Sequence, residues 1–313
     1  MTIAPYLKTI GRGKDGARAL DRAQALDLMT RILDGRVSDL ELGGFALAMR
    51  IKGESADELA AFVDAAMVHT LPLAAPGPVP AVLLPSYNGA RKLPNFTPLL
   101  ALLLAREGVP VLVHGPIDDP GRVTSAAIFT ALGLPPAANA EQAAAQWARG
   151  APVFLSLETM NRPLAQLLAL RRVLGLRNSG HTIAKLLPAM PGALRVVNHT
   201  HPEYAVSLSQ YLRDSGADAV LMRGTEGEPV ADARRQPRLE VHRAGVLDTT
   251  LSVAPQEGVL VELPVLPAAI DAETTAAHIR AVLDGAVAVP APIARQVQCL
   301  CATVRSLGTA ART

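Results

Sequence analysis

The 313 residues, half of them apolar, suffice for one large α/β domain or a large and a small one, with a substantial core. Charged residues make up 19 % of the chain and the formal net charge is only +2, so total charge gives no strong hint of a nucleic-acid partner. No apolar run approaches the ~18 residues of a membrane-spanning helix, Met1–Lys8 lacks the long apolar core of a signal peptide, and Cys299 and Cys301 make no disulfide framework. A reducing cytoplasm is the simplest setting.

Residues 17 to 70 read as helices. Apolar positions recur at three- and four-residue spacing through Ala19–Met29 and again through Leu40–Met49. Gly35 fits a C-cap, while Ser38 with Glu41 and Ser55 with Glu58 fit capping boxes. Short connections predict a small helical domain. Leu71–Pro80, rich in proline, is the clearest linker.

Beyond the linker, strand and helix alternate, which predicts a mainly parallel sheet. The expected strands are Ala81–Leu84, Val109–His114, Pro152–Ser156, Arg195–Asn198, Ala219–Arg223, Arg238–His242 and Val259–Leu263. Helices are expected at Val123–Leu132, Ala140–Trp147, Pro202–Ser215 and Ala272–Leu283. The helical stretch Pro163–Leu187 is too long for a simple crossover and is expected to return to the helical domain. The expected class is α/β. A small N-terminal helical bundle domain (1–71, with a returning segment at about 163–188) accompanies a large α/β domain (72–162 and 189–313).

Pro85 to Gly115 forms a strand, loop, helix, strand unit. Its loop lies at the carboxyl end of the first strand, where open α/β sheets bind ligands. Ser86–Lys92 can hold phosphate through backbone N–H groups, helped by Arg91 and Lys92. Such cradles use several glycines and only Gly89 is present, so an ordinary strand-to-helix loop competes with that reading. Thr124 and Ser125 can donate hydroxyls to the same anion or cap the next helix, and capping is favoured. His114 ends a strand, either as a catalytic group or as a hydrogen-bonded structural histidine.

His199, His201 and Glu203 are close in sequence, but such spacing alone is a weak metal signal, and no metal is expected. Glu226 and Glu228 can hold magnesium or pair with Arg234, Arg235 and Arg238. The salt-bridged loop is the stronger reading. Charge is also segregated. Arg162, Arg171, Arg172, Arg177, Lys185 and Arg195 occur between Thr159 and Pro202 with no acidic residue, a basic region suited to polyanions.

Taken together, the chain resembles the anthranilate phosphoribosyltransferase superfamily (glycosyltransferase family 3) over nearly its whole length. Ile32–Ser38 and Ala46–Glu54 resemble that family's helical domain, Asn95-Phe96-Thr97-Pro98 its Asn-Ile-Ser-Thr, and Val113-His114-Gly115 its Lys-His-Gly. The resemblance implies the nucleoside phosphorylase/phosphoribosyltransferase fold. The departures concern chemistry. The enzymes' Gly-Thr-Gly-Gly-Asp pyrophosphate loop is here Pro85-Ser86-Tyr87-Asn88-Gly89, and their magnesium-binding Asp-Glu pair falls at Pro229-Val230.

Ser86–Lys92, Arg177–Thr182, His201–Tyr204 and Gly224–Glu228 are similar to the YbiB-type subgroup. That resemblance implies homodimeric, largely sequence-independent nucleic-acid binders rather than enzymes. Arg91, Lys92, Arg162, Arg171, Arg172, Arg177 and Lys185 would then contact the phosphates of DNA, or of RNA, in a groove between the two domains. Ser86, Asn88, Gly89, Asn95, Thr97, His114, Thr124 and Ser125 would be a vestigial phosphate site, with no catalytic residue and no cofactor. The alternative is a phosphoribosyltransferase with a modified pyrophosphate loop, which would need magnesium.

Overall fold

The computed structural model describes residues 2–258 and 262–310. The chain opens with α1 (Ala4–Ile10), α2 (Gly13–Gly16), α3 (Arg22–Leu33), α4 (Asp39–Lys52) and α5 (Ala56–Met67). Then come β1 (Val82–Pro85), α6 (Thr97–Arg106), β2 (Val111–Gly115), α7 (Ser125–Ala131), α8 (Ala140–Ala148) and β3 (Val153–Ser156). Three helices follow, α9 (Leu157–Met160), α10 (Arg162–Leu174) and α11 (Gly180–Leu186). The rest comprises β4 (Leu194–His199), α12 (Glu203–Asp214), β5 (Ala219–Arg223), β6 (Leu239–Arg243), β7 (Val246–Val253), α13 (Ala272–Leu283) and α14 (Ala291–Ala310). Two compact units result: Met1–Leu71 with Leu157–Ala189, and Pro72–Ser156 with Met190–Thr313.

In the helical unit, α4 and α5 start with the reciprocal capping boxes expected at Ser38/Glu41 and Ser55/Glu58, and α3 has a third at Asp21/Gln24. Each box satisfies backbone donors that a helix start leaves orphaned. Phe45 of α4 and Phe62 of α5 meet edge to face in the core, with ring centroids 6.1 Å apart. Glu58 is fully buried and takes three donors, the Lys52 ammonium at 2.6 Å and the Leu20 and Ser55 N–H groups at 2.9 and 2.8 Å. The single helical stretch expected over Pro163–Leu187 is two helices. Gly175, at φ +69°, enters the left-handed region and closes α10, its N–H donating to the Arg171 carbonyl at 2.9 Å.

The other unit is built on a seven-stranded sheet in the order β3-β2-β1-β4-β5-β6-β7. The neighbours from β3 to β5 pair in parallel, and β6 and β7 add antiparallel. The parallel strands read as continuous apolar runs because both faces are buried, as in Val82–Pro85. The β6–β7 hairpin turns through Ala244 and Gly245, both at positive φ, as a two-residue primed turn requires. β7 was not expected from the sequence: Asp248, Thr249 and Thr250 interrupt its apolar pattern and much of it faces solvent. α14 was not expected either. Of the strand expected at Val259–Leu263, residues 259–261 lie outside the described ones, and Glu262 and Leu263 are not in a strand.

Chain order reverses between β1 and β4, the switch point at which crevices open beyond the carboxyl ends of strands. Among the described residues, no helix is long and apolar enough to cross a membrane.

Candidate functional site

The loop after β1 is fixed from below by close backbone packing. The Ser86 N–H donates to the His114 carbonyl at 2.8 Å, and a Cβ on Gly115 would sit 1.9 Å from the Ser86 carbonyl oxygen. Ala90 and Val123 exchange two backbone hydrogen bonds, at 2.8 and 3.0 Å. Gly89 sits beside that bridge at φ +69°, where a Cβ would meet the Val123 oxygen at 2.9 Å. The glycines therefore serve backbone approach here, as in a cradle.

A second loop, after β5, enters this one. Thr225–Glu228 is a turn closed by the Glu228 N–H on the Thr225 carbonyl at 2.9 Å, with Glu226 at φ +51° and Gly227 at φ +88°. Positive φ at both central residues is the type I′ pattern. Thr225 is tied to the Val230 carbonyl by its N–H at 3.0 Å and its hydroxyl at 2.9 Å. A Cβ on Gly227 would lie 1.8 Å from Asn88 Nδ2, so the turn packs directly on the β1 loop.

Glu228 is 1 % exposed and its carboxylate lies where donors converge. Oε1 accepts the backbone N–H groups of Asn88 at 2.7 Å and Gly89 at 2.8 Å. Oε2 accepts the Ser86 hydroxyl, with the Asn95 amide and the Thr97 hydroxyl each at 3.3 Å. Glu226 Oε2 accepts three successive N–H groups, those of Arg91, Lys92 and Leu93, at 2.8, 2.9 and 3.1 Å. Burial works to raise the Glu226 pKa; the Lys92, Arg91 and Leu93 N–H groups and the nearby Arg122 outweigh it, and the pKa lies below the usual value.

The structure thus brings Ser86, Asn88, Gly89, Asn95, Thr97 and Ser125 together. The Ser125 hydroxyl meets that of Ser86 at 2.7 Å and accepts the Asn95 amide at 3.0 Å. Thr124 instead caps α7, accepting the Ala127 N–H at 3.2 Å and donating to the Ile117 carbonyl at 2.8 Å. His114 is buried beside the loop with Nδ1 2.7 Å from the Tyr87 hydroxyl, and burial pushes its pKa down to about 3, so it is a neutral structural group.

The pairing of Glu226 and Glu228 with Arg234, Arg235 and Arg238 is corrected. Both carboxylates turn to the β1 loop, and Arg234 pairs with Asp232 at 3.0 Å. Nor do the oxygens that accept these bonds suit a magnesium ion. Glu228 Oε1 and Oε2 and Glu226 Oε2 face N–H and O–H hydrogens, which a cation would meet first. His199 ends β4 while His201 and Glu203 are exposed; among the described residues no group of three His, Cys, Asp or Glu is placed to hold a metal.

Of the basic residues, Arg162 and Arg172 on α10 are exposed, and Arg171, Arg177 and Lys185 are half-buried in the same helical unit. Arg91 and Lys92 are exposed on the β1 loop. Arg195 lies inside β4, 8 % exposed, and leaves the surface set. The Arg177–Thr182 motif is a junction within the helical unit. Asn178 Nδ2 donates to the Leu167 carbonyl at 2.7 Å and its Oδ1 accepts the Gly180 N–H at 3.0 Å. Ser179 donates to Glu54 at 2.5 Å. Burial, with help from the Arg177 charge, lowers the His181 pKa to about 3.

Comparison with known proteins agrees with this fold. Residues 4–70 match the model of the glycosyl transferase family helical bundle domain. The uncharacterized protein YbiB of Escherichia coli (strain K12) is 43 % identical over 306 residues, 96 % of this chain and 93 % of that protein. An anthranilate phosphoribosyltransferase of Methanopyrus kandleri is 28 % identical over 294 residues, 91 % of this chain and 84 % of the relative. In fold, the chain is similar to anthranilate phosphoribosyltransferase from Saccharomyces cerevisiae in complex with PRPP and Mg, with TM-score 0.71 and 15 % identity over 98 % of this chain and 88 % of that one. The Thermus thermophilus enzyme gives TM-score 0.68 at 22 % identity, over 98 % and 90 % of the two chains. The chain belongs to the YbiB-type branch of the glycosyl transferase family that carries this helical bundle and the anthranilate phosphoribosyltransferase fold.

Proposed function

We propose that the protein binds nucleic acid, DNA or RNA, with little sequence preference and without catalysing phosphoribosyl transfer. The observation that carries the reading is the run Arg162, Arg171, Arg172, Arg177 and Lys185, five cations on consecutive elements of the helical unit, each exposed or half-buried, with no acidic residue among them. Such a run neutralises backbone phosphates and releases their counterions, which gives affinity that falls steeply with salt and carries no base information. Arg91 and Lys92 add two exposed cations on the β1 loop of the other unit. Aromatic residues are 3 % of the chain and Tyr87 is 4 % exposed, so base stacking contributes little.

The state of the cradle supports the non-catalytic half of the reading. Transfer from a phosphoribosyl donor needs a positioned pyrophosphate and a metal. Here the donors that would position the leaving group already hold Glu228. The test is a titration of labelled single- and double-stranded DNA at several salt concentrations, beside an assay with phosphoribosyl pyrophosphate, magnesium and anthranilate. Salt-sensitive DNA binding without turnover is expected. Turnover, or no DNA binding at low salt, would overturn the reading.

A further inference from the structure

The outward face of α10 is not the wholly polar stripe of a solvated helix. Arg162, Gln166, Ala169 and Val173 recur at four- and three-residue spacing and are all exposed. Val173 follows the buried Leu164 by about two and a half turns and so points away from it. It is 83 % exposed, and Leu176, just past the Gly175 cap, is 43 % exposed. Arg171 and Arg172 precede this apolar pair and Arg177 follows it, with no acidic residue between them. The cations also gather in space. Burial chiefly, and the charges of Arg177, Arg171 and Lys185 in addition, lower the His181 pKa, so residues of α10, of the turn after it and of α11 surround one imidazole. The Asn178 bonds to the Leu167 carbonyl and the Gly180 N–H fix that turn.

We propose that this surface selects single-stranded nucleic acid over the duplex, with Val173 and Leu176 packing on base faces while the neighbouring cations hold the phosphates. The inference rests on the nucleic-acid reading and adds which form is chosen and by which side chains. A duplex encloses its base faces in the stack and turns its phosphates outward, where arginines can meet them and aliphatic side chains gain nothing. A single strand leaves base faces open to contact. Covering them with valine and leucine removes apolar surface from water on both sides. Every base has such a face, so the contact tolerates any sequence.

Charge complementarity names the occupant. An apolar protein face laid here would strip water from Arg172 without supplying a counter-charge. A second copy of the chain, docked face to face, would set the same cations against one another. A polyanion that also exposes apolar rings meets both halves of the surface.

The experiment is an anisotropy titration of one labelled DNA oligonucleotide, single-stranded and annealed to its complement, across a range of salt. Charge alone favours the duplex, whose phosphates are denser, so a single-strand preference reports the apolar contact. The wild type should bind the single strand about tenfold more tightly than the duplex. Val173→Ser with Leu176→Ser should lower single-strand affinity about tenfold and leave duplex affinity and both salt slopes unchanged, because no charge is lost. Val173→Ile with Leu176→Met should keep the preference. If the serine pair fails to fold, Val173→Ala with Leu176→Ala takes its place. A wild type that binds the duplex as tightly, or a folded serine variant that keeps the preference, would overturn the proposal. So would a serine variant whose oligomeric state changes in sedimentation, since the patch would then be covered by a second copy. Duplex binding without single-strand preference sinks this inference alone, whereas no binding of either form at low salt sinks the proposed function with it.

Discussion

The Glu228 carboxylate accepts the Asn88 backbone N–H at 2.7 Å, across 140 residues of sequence. The sheet order makes the meeting available: β1 and β5 both flank β4, so the loops that follow them leave the same edge of the sheet. Five donors then converge on one side chain, and the loop cannot keep its shape without an acceptor there. Glu228→Gln places an amide N–H₂ against donors and should lower stability by about 1–3 kcal/mol. Urea denaturation of the two proteins measures it; an unchanged midpoint would mean that the carboxylate contacts contribute nothing net.

Glu226 poses a different question, because its backbone is in the left-handed region while its side chain holds three N–H groups. Glu226→Gly and Glu226→Ala both delete the carboxylate, and only alanine keeps the steric penalty of positive φ. The glycine variant should be more stable than the alanine variant by about 1 kcal/mol. Equal denaturation midpoints would show that the turn relaxes to another conformation.

Two buried histidines contribute to the acid response. Burial lowers both His114 and His181 to about 3, from 6.5 unfolded. Between those values the unfolded chain binds protons that the folded chain refuses. Stability is therefore fully present above about pH 6.5 and is lost as pH falls toward 3, by up to about 1.4 kcal/mol per pH unit for each histidine. His114→Gln, which can still bond the Tyr87 hydroxyl, should flatten the pH dependence by close to one proton. An unchanged slope in pH-dependent urea melts would place the acid response elsewhere.

Glycine positions separate backbone from side-chain crowding. At Gly115 a Cβ would meet the Ser86 carbonyl oxygen at 1.9 Å, and backbone cannot yield cheaply. At Gly180 the near atoms all belong to side chains, Leu168 Cδ1 at 2.9 Å with Asn178 Oδ1 and Leu167 Cγ at 3.0 Å, which can shift where a backbone oxygen cannot. Gly115→Ala should cost on the order of 3 kcal/mol or more and Gly180→Ala about 1 kcal/mol. Thermal melts that rank them in the opposite order would contradict the packing argument.

Much of the architecture was legible. Apolar runs marked the buried parallel strands, and Ser38/Glu41 and Ser55/Glu58 marked helix starts, because those signals are local. β7 was missed because an exposed edge strand with Asp248, Thr249 and Thr250 lacks a clean alternation. The break at Gly175 was missed because apolar spacing continues on both sides of it. At the site, the loop residues were legible as a cradle, but the partner was not. Arg234, Arg235 and Arg238 follow Glu226 and Glu228 in sequence and suggested ion pairs, whereas the real partners are N–H groups brought in by strand order.

The central claim is that the cationic run of the helical unit holds a nucleic-acid backbone. It is tested most directly by the salt dependence of DNA affinity for the wild type and for Arg171→Ala with Arg172→Ala. The account predicts a linear fall of log affinity with log salt, and for the double variant weaker binding with a slope shallower by about 1.8 on duplex DNA if both arginines neutralise a phosphate. The same affinity and slope in a folded variant, or no binding by the wild type at low salt, would contradict it.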